Sequence, residues 1–150
     1  MMRILLVEDE IHKKDEINSC VLEVFGNLPV MVDSVSSAVL EVKSNDYDLI
    51  ILDMALSTFG ESAGDNKKGH DQAQGGIEVL RALKGYRKQS NILIVTQYPD
   101  FFIGGIKVKL KNSPKIISEK YSQRVVGAIL YTYKSKPTIQ RITSILRSLS

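Results

Sequence analysis

Three carboxylates, one hydroxyl and one ammonium stand at positions where a fold could gather them. Asp53 closes the run Tyr47-Asp48-Leu49-Ile50-Ile51-Leu52-Asp53-Met54, in which a short apolar stretch delivers a carboxylate to its carboxyl end. Apolar runs of this length, bounded by polar residues, read as strands buried on both faces of a parallel sheet. A carboxylate there sits where open α/β sheets hold their ligands. The run Arg3 to Val7 delivers Glu8 and Asp9 in the same way, a later strand delivers Thr96, and the last delivers Lys134. Crowded carboxylates repel and raise one another's pKa unless a cation sits among them. Mg²⁺ suits such a place, because it takes oxygen from one or two carboxylates, water and a phosphate. Thr96 can donate to a phosphoryl oxygen and the Lys134 ammonium can neutralise another. The set describes phosphoryl transfer to Asp53 as nucleophile. The plainer role for each acid is to cap a turn or the next helix.

The elements that must position these groups alternate along the chain. Arg3 to Val7 predicts a strand, and Ile11 to Phe25 a helix with Ile17, Val21 and Val24 inward. Val30 to Val32 predicts a second strand, and Asp33-Ser34 caps a helix whose inner face is Val35, Ala38, Val39 and Val42. Leu49 to Leu52 is the third strand, and its helix begins near Gly75-Gly76 with Ile77, Leu80 and Leu83 inward. Asn91 to Val95 is the fourth strand, a helix is expected over Pro114 to Val126, and Ala128 to Tyr133 is the fifth strand. A final helix buries Ile139, Ile142, Ile145, Leu146 and Leu149. Strands alternating with helices imply a parallel sheet with right-handed crossovers and helices on both faces. Two connections are long, 57–74 and 99–113, and loops of that length tend to be lids or binding loops. Within the second, Gly104-Gly105 permits a turn before Ile106 to Leu110, whose alternation suggests a short extra strand.

The chain has 150 residues, 43% of them hydrophobic and 25% charged, which suits one globular domain over 1–150. It has no apolar run long enough to span a membrane, and Glu8-Asp9-Glu10 follows the first apolar stretch at once, so neither a span nor a signal peptide fits. A cytoplasmic protein is expected. The single cysteine, Cys20, falls with Ile17, Val21 and Val24 and reads as a buried thiol. Net charge is +3, but residues 1–100 hold 10 Lys/Arg against 16 Asp/Glu, and residues 101–150 hold 10 against 1. No nucleic-acid motif accompanies these scattered basic residues, so a solvated or protein-binding face is expected in preference to a nucleic-acid surface.

On these residues the chain resembles the receiver domains of bacterial two-component response regulators. The matching pieces are Ile4-Leu5-Leu6-Val7-Glu8-Asp9-Glu10, Tyr47 through Met54, Gly76 through Lys84, the strand ending at Thr96, and Gly127-Ala128 leading to Tyr131 and Lys134. The resemblance implies a flavodoxin-like, doubly wound five-stranded sheet in the order 2-1-3-4-5. It also implies that Asp53 accepts phosphate from a histidine kinase or phosphotransfer protein. Glu8, Asp9 and Asp53 would hold Mg²⁺ with the Ala55 carbonyl, Thr96 and Lys134 would contact the phosphoryl group, and Tyr131 would be an aromatic switch. The last helix runs to Ser150, so the expectation is a receiver with no output domain, signalling through an unidentified protein partner and not an enzyme in its own right. Self-association is left open.

Several residues depart from the family pattern. Lys134 is followed by Ser135, and a lysine-proline pair comes two residues later at Lys136-Pro137, so Lys136 is the alternative to Lys134. Gln97 stands where the family prefers a small residue and is expected to lean over the site, and Ser57 replaces a frequent proline. These departures keep a second reading open, a receiver-fold adaptor that binds partners without switching. A haloacid-dehalogenase-like phosphatase, which also uses a strand-end aspartate, would need an acid two residues on, where this chain has Ala55. His12 and His70 read as solvated. Gly64 to Gly69 has P-loop spacing but continues as His70-Asp71, where lysine and a hydroxyl residue are required.

Overall fold

The runs Ile4–Val7 and Leu49–Leu52 contain no polar side chain, and every residue in them is buried. Strands of that kind need cover on both faces, which a central place in a parallel sheet between two helical layers provides. The computed structural model, which describes residues 2–56 and 74–150, puts them there. β1 (Ile4–Val7), β2 (Val30–Val32), β3 (Leu49–Leu52), β4 (Asn91–Thr96) and β7 (Arg124–Leu130) form a parallel sheet in the order β2-β1-β3-β4-β7. Counting only sheet members, this is the expected order 2-1-3-4-5. The α-helices among the described residues are α1 (Ile11–Phe25), α2 (Val35–Ser44), α3 (Gly75–Gly85), α4 (Ser113–Tyr121) and α5 (Lys136–Leu149).

Successive side chains on a strand point to opposite faces, and the core divides accordingly. Leu5, Val7, Ile50, Leu52, Ile92 and Ile94 face one layer with Ala38 of α2, Leu80 of α3 and Ile117 of α4. Ile4, Leu6, Leu49, Ile51, Leu93 and Val95 face the other with Ile17 and Val21 of α1 and Ile142 and Leu146 of α5. Cys20 is buried in that second layer, as expected. Ser34 caps α2 by accepting the Ser37 N–H. No helix among the described residues is long and apolar enough to cross a membrane.

The connection over 99–113 is folded. β5 (Asp100–Ile103) and β6 (Ile106–Lys109) form an antiparallel hairpin around Gly104 and Gly105, whose φ values of 58° and 80° suit a two-residue turn of the kind that needs glycine. Phe101, Ile103 and Val108 anchor it in the core. The sequence pattern showed β6 but not its partner.

The register near the end of the chain also differs from expectation. The helix expected over Pro114 to Val126 ends at Tyr121, because Ser122 is left-handed at φ 57°. The buried Gln123 amide then fixes the chain, accepting from the Ser90 N–H at 2.9 Å and donating to the Lys88 carbonyl at 2.7 Å. The β-branched pair Val125-Val126 is therefore strand, and β7 runs over Arg124–Leu130 in place of the expected Ala128 to Tyr133. A bulge opposite Ile92 and Leu93 absorbs one residue. The enlarged loop expected over 57–74, with Ser57, the Gly64 to Gly69 segment and His70, lies outside the described residues except for its last position.

α3 sits directly on the segment that carries Asp53. The Gly76 N–H donates to the Met54 carbonyl at 3.0 Å, and a Cβ at Gly76 would lie 2.7 Å from the Asp53 carbonyl oxygen. Gly85, at the other end of the same helix, would meet nothing within 4 Å. Gly76→Ala is therefore expected to destabilise the protein by about 1–3 kcal/mol through overpacking against backbone. Gly85→Ala is expected to be neutral or stabilising by about 0.5 kcal/mol. Urea unfolding of the two variants checks the contrast.

Candidate functional site

Parallel register brings the first two carboxylates together. Val7 pairs with Leu52, the Glu8 N–H donates to the Val32 carbonyl at 3.0 Å, and the Asp53 N–H donates to the Val7 carbonyl at 3.2 Å. Glu8 and Asp53 thus extend neighbouring strands by one residue at the same sheet edge. Asp9 follows, and one carboxylate oxygen from each of Glu8, Asp9 and Asp53 lies within 4.8 Å of the others. Glu8 is 1% exposed and Asp53 7%, so both are taken out of water. Ala55, the fourth expected metal ligand, is tied to the site by its N–H, which donates to Asp53 Oδ1 at 3.1 Å.

Among the described residues, the cation that meets Glu8 and Asp53 is Lys13, to which the sequence pattern assigned no role. Its Nζ lies 2.7 Å from Glu8 Oε1 and 3.2 Å from Asp53 Oδ2, and the side chain is 1% exposed. Local structure fixes it there. Glu10 is the N-cap of α1, and its carboxylate accepts the N–H groups of His12 and Lys13. Lys13 is then in the first helical turn, four residues before the buried Ile17, at the head of the inward stripe. A cation at a helix N-terminus opposes the macrodipole, so its stability there depends on the carboxylates it meets. An inward-facing lysine just after an acid pair was the signal available in the sequence.

Lys134 is placed elsewhere. It is exposed at φ 55°, its Nζ lies 5.4 Å from the Tyr133 ring centroid, and its N–H donates to Glu16 Oε2 at 3.3 Å. Among the described residues, the ammonium within 4 Å of Asp53 is that of Lys13. Lys136, the alternative, is exposed in the first turn of α5. Thr96 is fully buried at the end of β4, where its Oγ1 accepts the Tyr98 N–H at 3.4 Å and its carbonyl accepts the Tyr131 N–H at 2.8 Å. Gln97 is exposed, and it is Tyr98 that feels the site: burial and then the Asp53 charge push its hydroxyl pKa up.

Tyr131 is buried beside Lys13, whose Nζ lies 5.5 Å from its ring centroid, within cation–π range. Its hydroxyl donates to Glu16 Oε1, and burial together with that bond pushes its pKa up. A continuous set of contacts therefore runs from Asp53 through Lys13, Tyr131 and Glu16 to the backbone of residue 134. His12, exposed as expected, has its ring centroid 5.0 Å from that of Tyr133.

Three acidic oxygens gathered at a strand edge fit an oxygen-seeking divalent cation. Octahedral Mg²⁺ with bonds of about 2.1 Å sets its ligand oxygens about 3 to 4 Å apart, which a small inward movement of Glu8, Asp9 and Asp53 would reach. Burial, then the Asp53 charge, pushes the Glu8 carboxyl from 4.5 up to about 7, although Lys13 and the Glu10 N–H pull the other way. The folded protein therefore holds a proton that the unfolded chain releases above about 4.5, so stability from this group falls as pH rises from about 4.5 to about 7. In metal-free urea unfolding, stability is expected to decline between about pH 5 and about pH 8, and Glu8→Gln is expected to remove most of that slope.

No family model matches the chain. The Detocs response regulatory protein DtcB of Vibrio alginolyticus is 34% identical over 152 residues, covering 97% of this chain and 99% of that protein. The DtcB protein of Enterobacter cloacae is 26% identical over 140 residues, covering 90% and 91%. Among solved structures, a signal receiver domain from Clostridium thermocellum superposes with a TM-score of 0.66 at 17% identity, covering 99% of this chain and 96% of that one. A response regulator from Colwellia psychrerythraea gives 0.63 at 18%, covering 98% of each chain. TrrA of Thermotoga maritima, in complex with Mg²⁺-BeF, gives 0.58 at 19%, covering 97% and 99%. At these identities the structures show a shared fold, and the Vibrio relative shows kinship over nearly the full length. The chain belongs to the response regulator receiver proteins, in the family of the DtcB response regulatory proteins.

Proposed function

We propose that this receiver is a phospho-acceptor: Asp53 takes a phosphoryl group from the phosphohistidine of a histidine kinase or phosphotransfer protein. The observation that carries the reading is the convergence of Glu8, Asp9 and Asp53 within 4.8 Å at one strand edge. In the transfer, a carboxylate oxygen of Asp53 forms a bond to phosphorus, the phosphorus–nitrogen bond to histidine breaks, and the imidazole leaves with the electron pair. Mg²⁺, held by Glu8, Asp9, Asp53 and the Ala55 carbonyl, would neutralise charge on the phosphoryl oxygens. The complex of TrrA with Mg²⁺-BeF, on the same fold, supports that assignment.

Thr96 is assigned to the phosphoryl oxygens from its place at the end of β4. Lys134 would have to leave the Tyr133 ring to join it. The protein assists its own phosphorylation and acts on no other substrate in this reading, which suits a cytoplasmic signalling protein. The signal would leave through protein contact on α4, β7 and α5. Lys115, Lys120, Arg124 and Arg141 are exposed there, beside the exposed Ile116 and Leu130. A non-switching adaptor is not favoured, because burying Glu8 and Asp53 carries a desolvation cost that partner binding elsewhere does not offset.

Incubation with acetyl phosphate and Mg²⁺, read by intact mass, tests the chemistry. The wild type is expected to gain one phosphoryl group and Asp53→Ala none, with chelation of the metal abolishing the gain. No added mass on the wild type, or equal addition to Asp53→Ala, contradicts the reading.

A further inference from the structure

We infer that the Lys13 ammonium is a built-in counter-ion of the acidic site, and that a divalent cation binds there by displacing it. The inference rests on the phospho-acceptor reading only in taking Mg²⁺ as the cation. Lys13 Nζ touches two of the three carboxylates, at 2.7 Å from Glu8 and 3.2 Å from Asp53. A metal bound to those same carboxylates would put its two charges beside the ammonium, where Glu8 and Asp53 are nearly excluded from water and like charges interact strongly. The ammonium and the metal therefore exclude each other.

The displaced group has a destination. Lys13 is attached by a flexible four-carbon stem, and Glu16 lies three residues on along α1, where helical side chains are neighbours. Glu16 already accepts from the Tyr131 hydroxyl, and the Tyr131 ring lies under the Lys13 ammonium. An ammonium moving from the carboxylates toward Glu16 would compete with the Tyr131 hydroxyl for that acceptor. Cation exchange at Asp53 would thereby alter the contacts of Tyr131 and of the backbone at residue 134, whose N–H also bonds Glu16. The exchange has a consequence for binding: Mg²⁺ affinity is lower than the three acids alone would give.

The experiment is Mg²⁺ titration by calorimetry of the wild type, Lys13→Met and Lys14→Met. Lys13→Met is expected to bind Mg²⁺ at least about tenfold more tightly, because the metal no longer has to break a buried ion pair. Lys14→Met, which removes the neighbouring positive charge from a partly exposed position of the same helix, is expected to stay within about twofold, since charges in contact with solvent are screened. Lys13→Gln serves if Lys13→Met does not fold without metal. In the wild type, the Lys13 side-chain ¹⁵N resonance is expected to shift as Mg²⁺ is added, together with the amide of Lys134. Equal or weaker Mg²⁺ binding by the Lys13 variants, or a Lys13 resonance that does not respond to the metal, overturns the inference. Phosphoryl incorporation is read separately on the same samples. Its absence beside tighter Mg²⁺ binding counts against the phospho-acceptor reading alone.

Discussion

Carboxylates brought together at the edge of a buried sheet repel one another, and the fold holds Glu8 beside Asp53 because an ammonium stands between them. The parallel register of β1 and β3 leaves little freedom: pairing Val7 with Leu52 puts the next residue of each strand side by side. Both are nearly excluded from water. Without Lys13, desolvation and mutual repulsion would act on the same pair unopposed, and the local fold would have to loosen, hold its proton to still higher pH or take up a metal.

Much of the surrounding structure places that ammonium. Glu10 caps α1 through the N–H groups of His12 and Lys13, setting the first turn. Ile17, Cys20 and Val21 anchor the helix face below it. On the far side, the Tyr131 ring lies against the ammonium, and its hydroxyl hands the contact on to Glu16. α3 presses on the same edge through Gly76, where only a hydrogen fits against the Asp53 carbonyl. The acidic cluster is thus held by a helix N-terminus, a glycine contact and an aromatic ring, each from a different part of the chain. A change of charge at Asp53 acts first on the Lys13 ammonium, its ion-pair partner.

The strands and most helices were legible in the sequence because their signals are local. Leu49 to Leu52 followed by Asp53 reports a buried strand directly, and the three-residue spacing of Ile77, Leu80 and Leu83 reports the inward face of α3, where all three are buried. Glu8, Asp9 and Asp53 were legible for the same reason, each ending or following an apolar run. Lys13 was not, since a lysine in a helical segment ordinarily lies on the solvated face, and its burial depends on two acids from other elements. The partner strand β5 was hidden because Asp100–Ile103 is too short to show a period. β7 was shifted because the Gln123 side chain, through Ser90 and Lys88, decides where α4 stops. Contacts distant in sequence set those outcomes.

The most direct test of the central claim is a double-mutant cycle on Lys13 and Asp53 in metal-free buffer, with stability read by urea unfolding. Lys13→Met is expected to cost about 3 kcal/mol or more, as for a buried pair that loses one partner. Adding Asp53→Asn to that variant is expected to restore at least about 1 kcal/mol, because it removes the stranded charge. Additive losses from the two substitutions would contradict the claim that this ammonium is what allows the carboxylates to sit together.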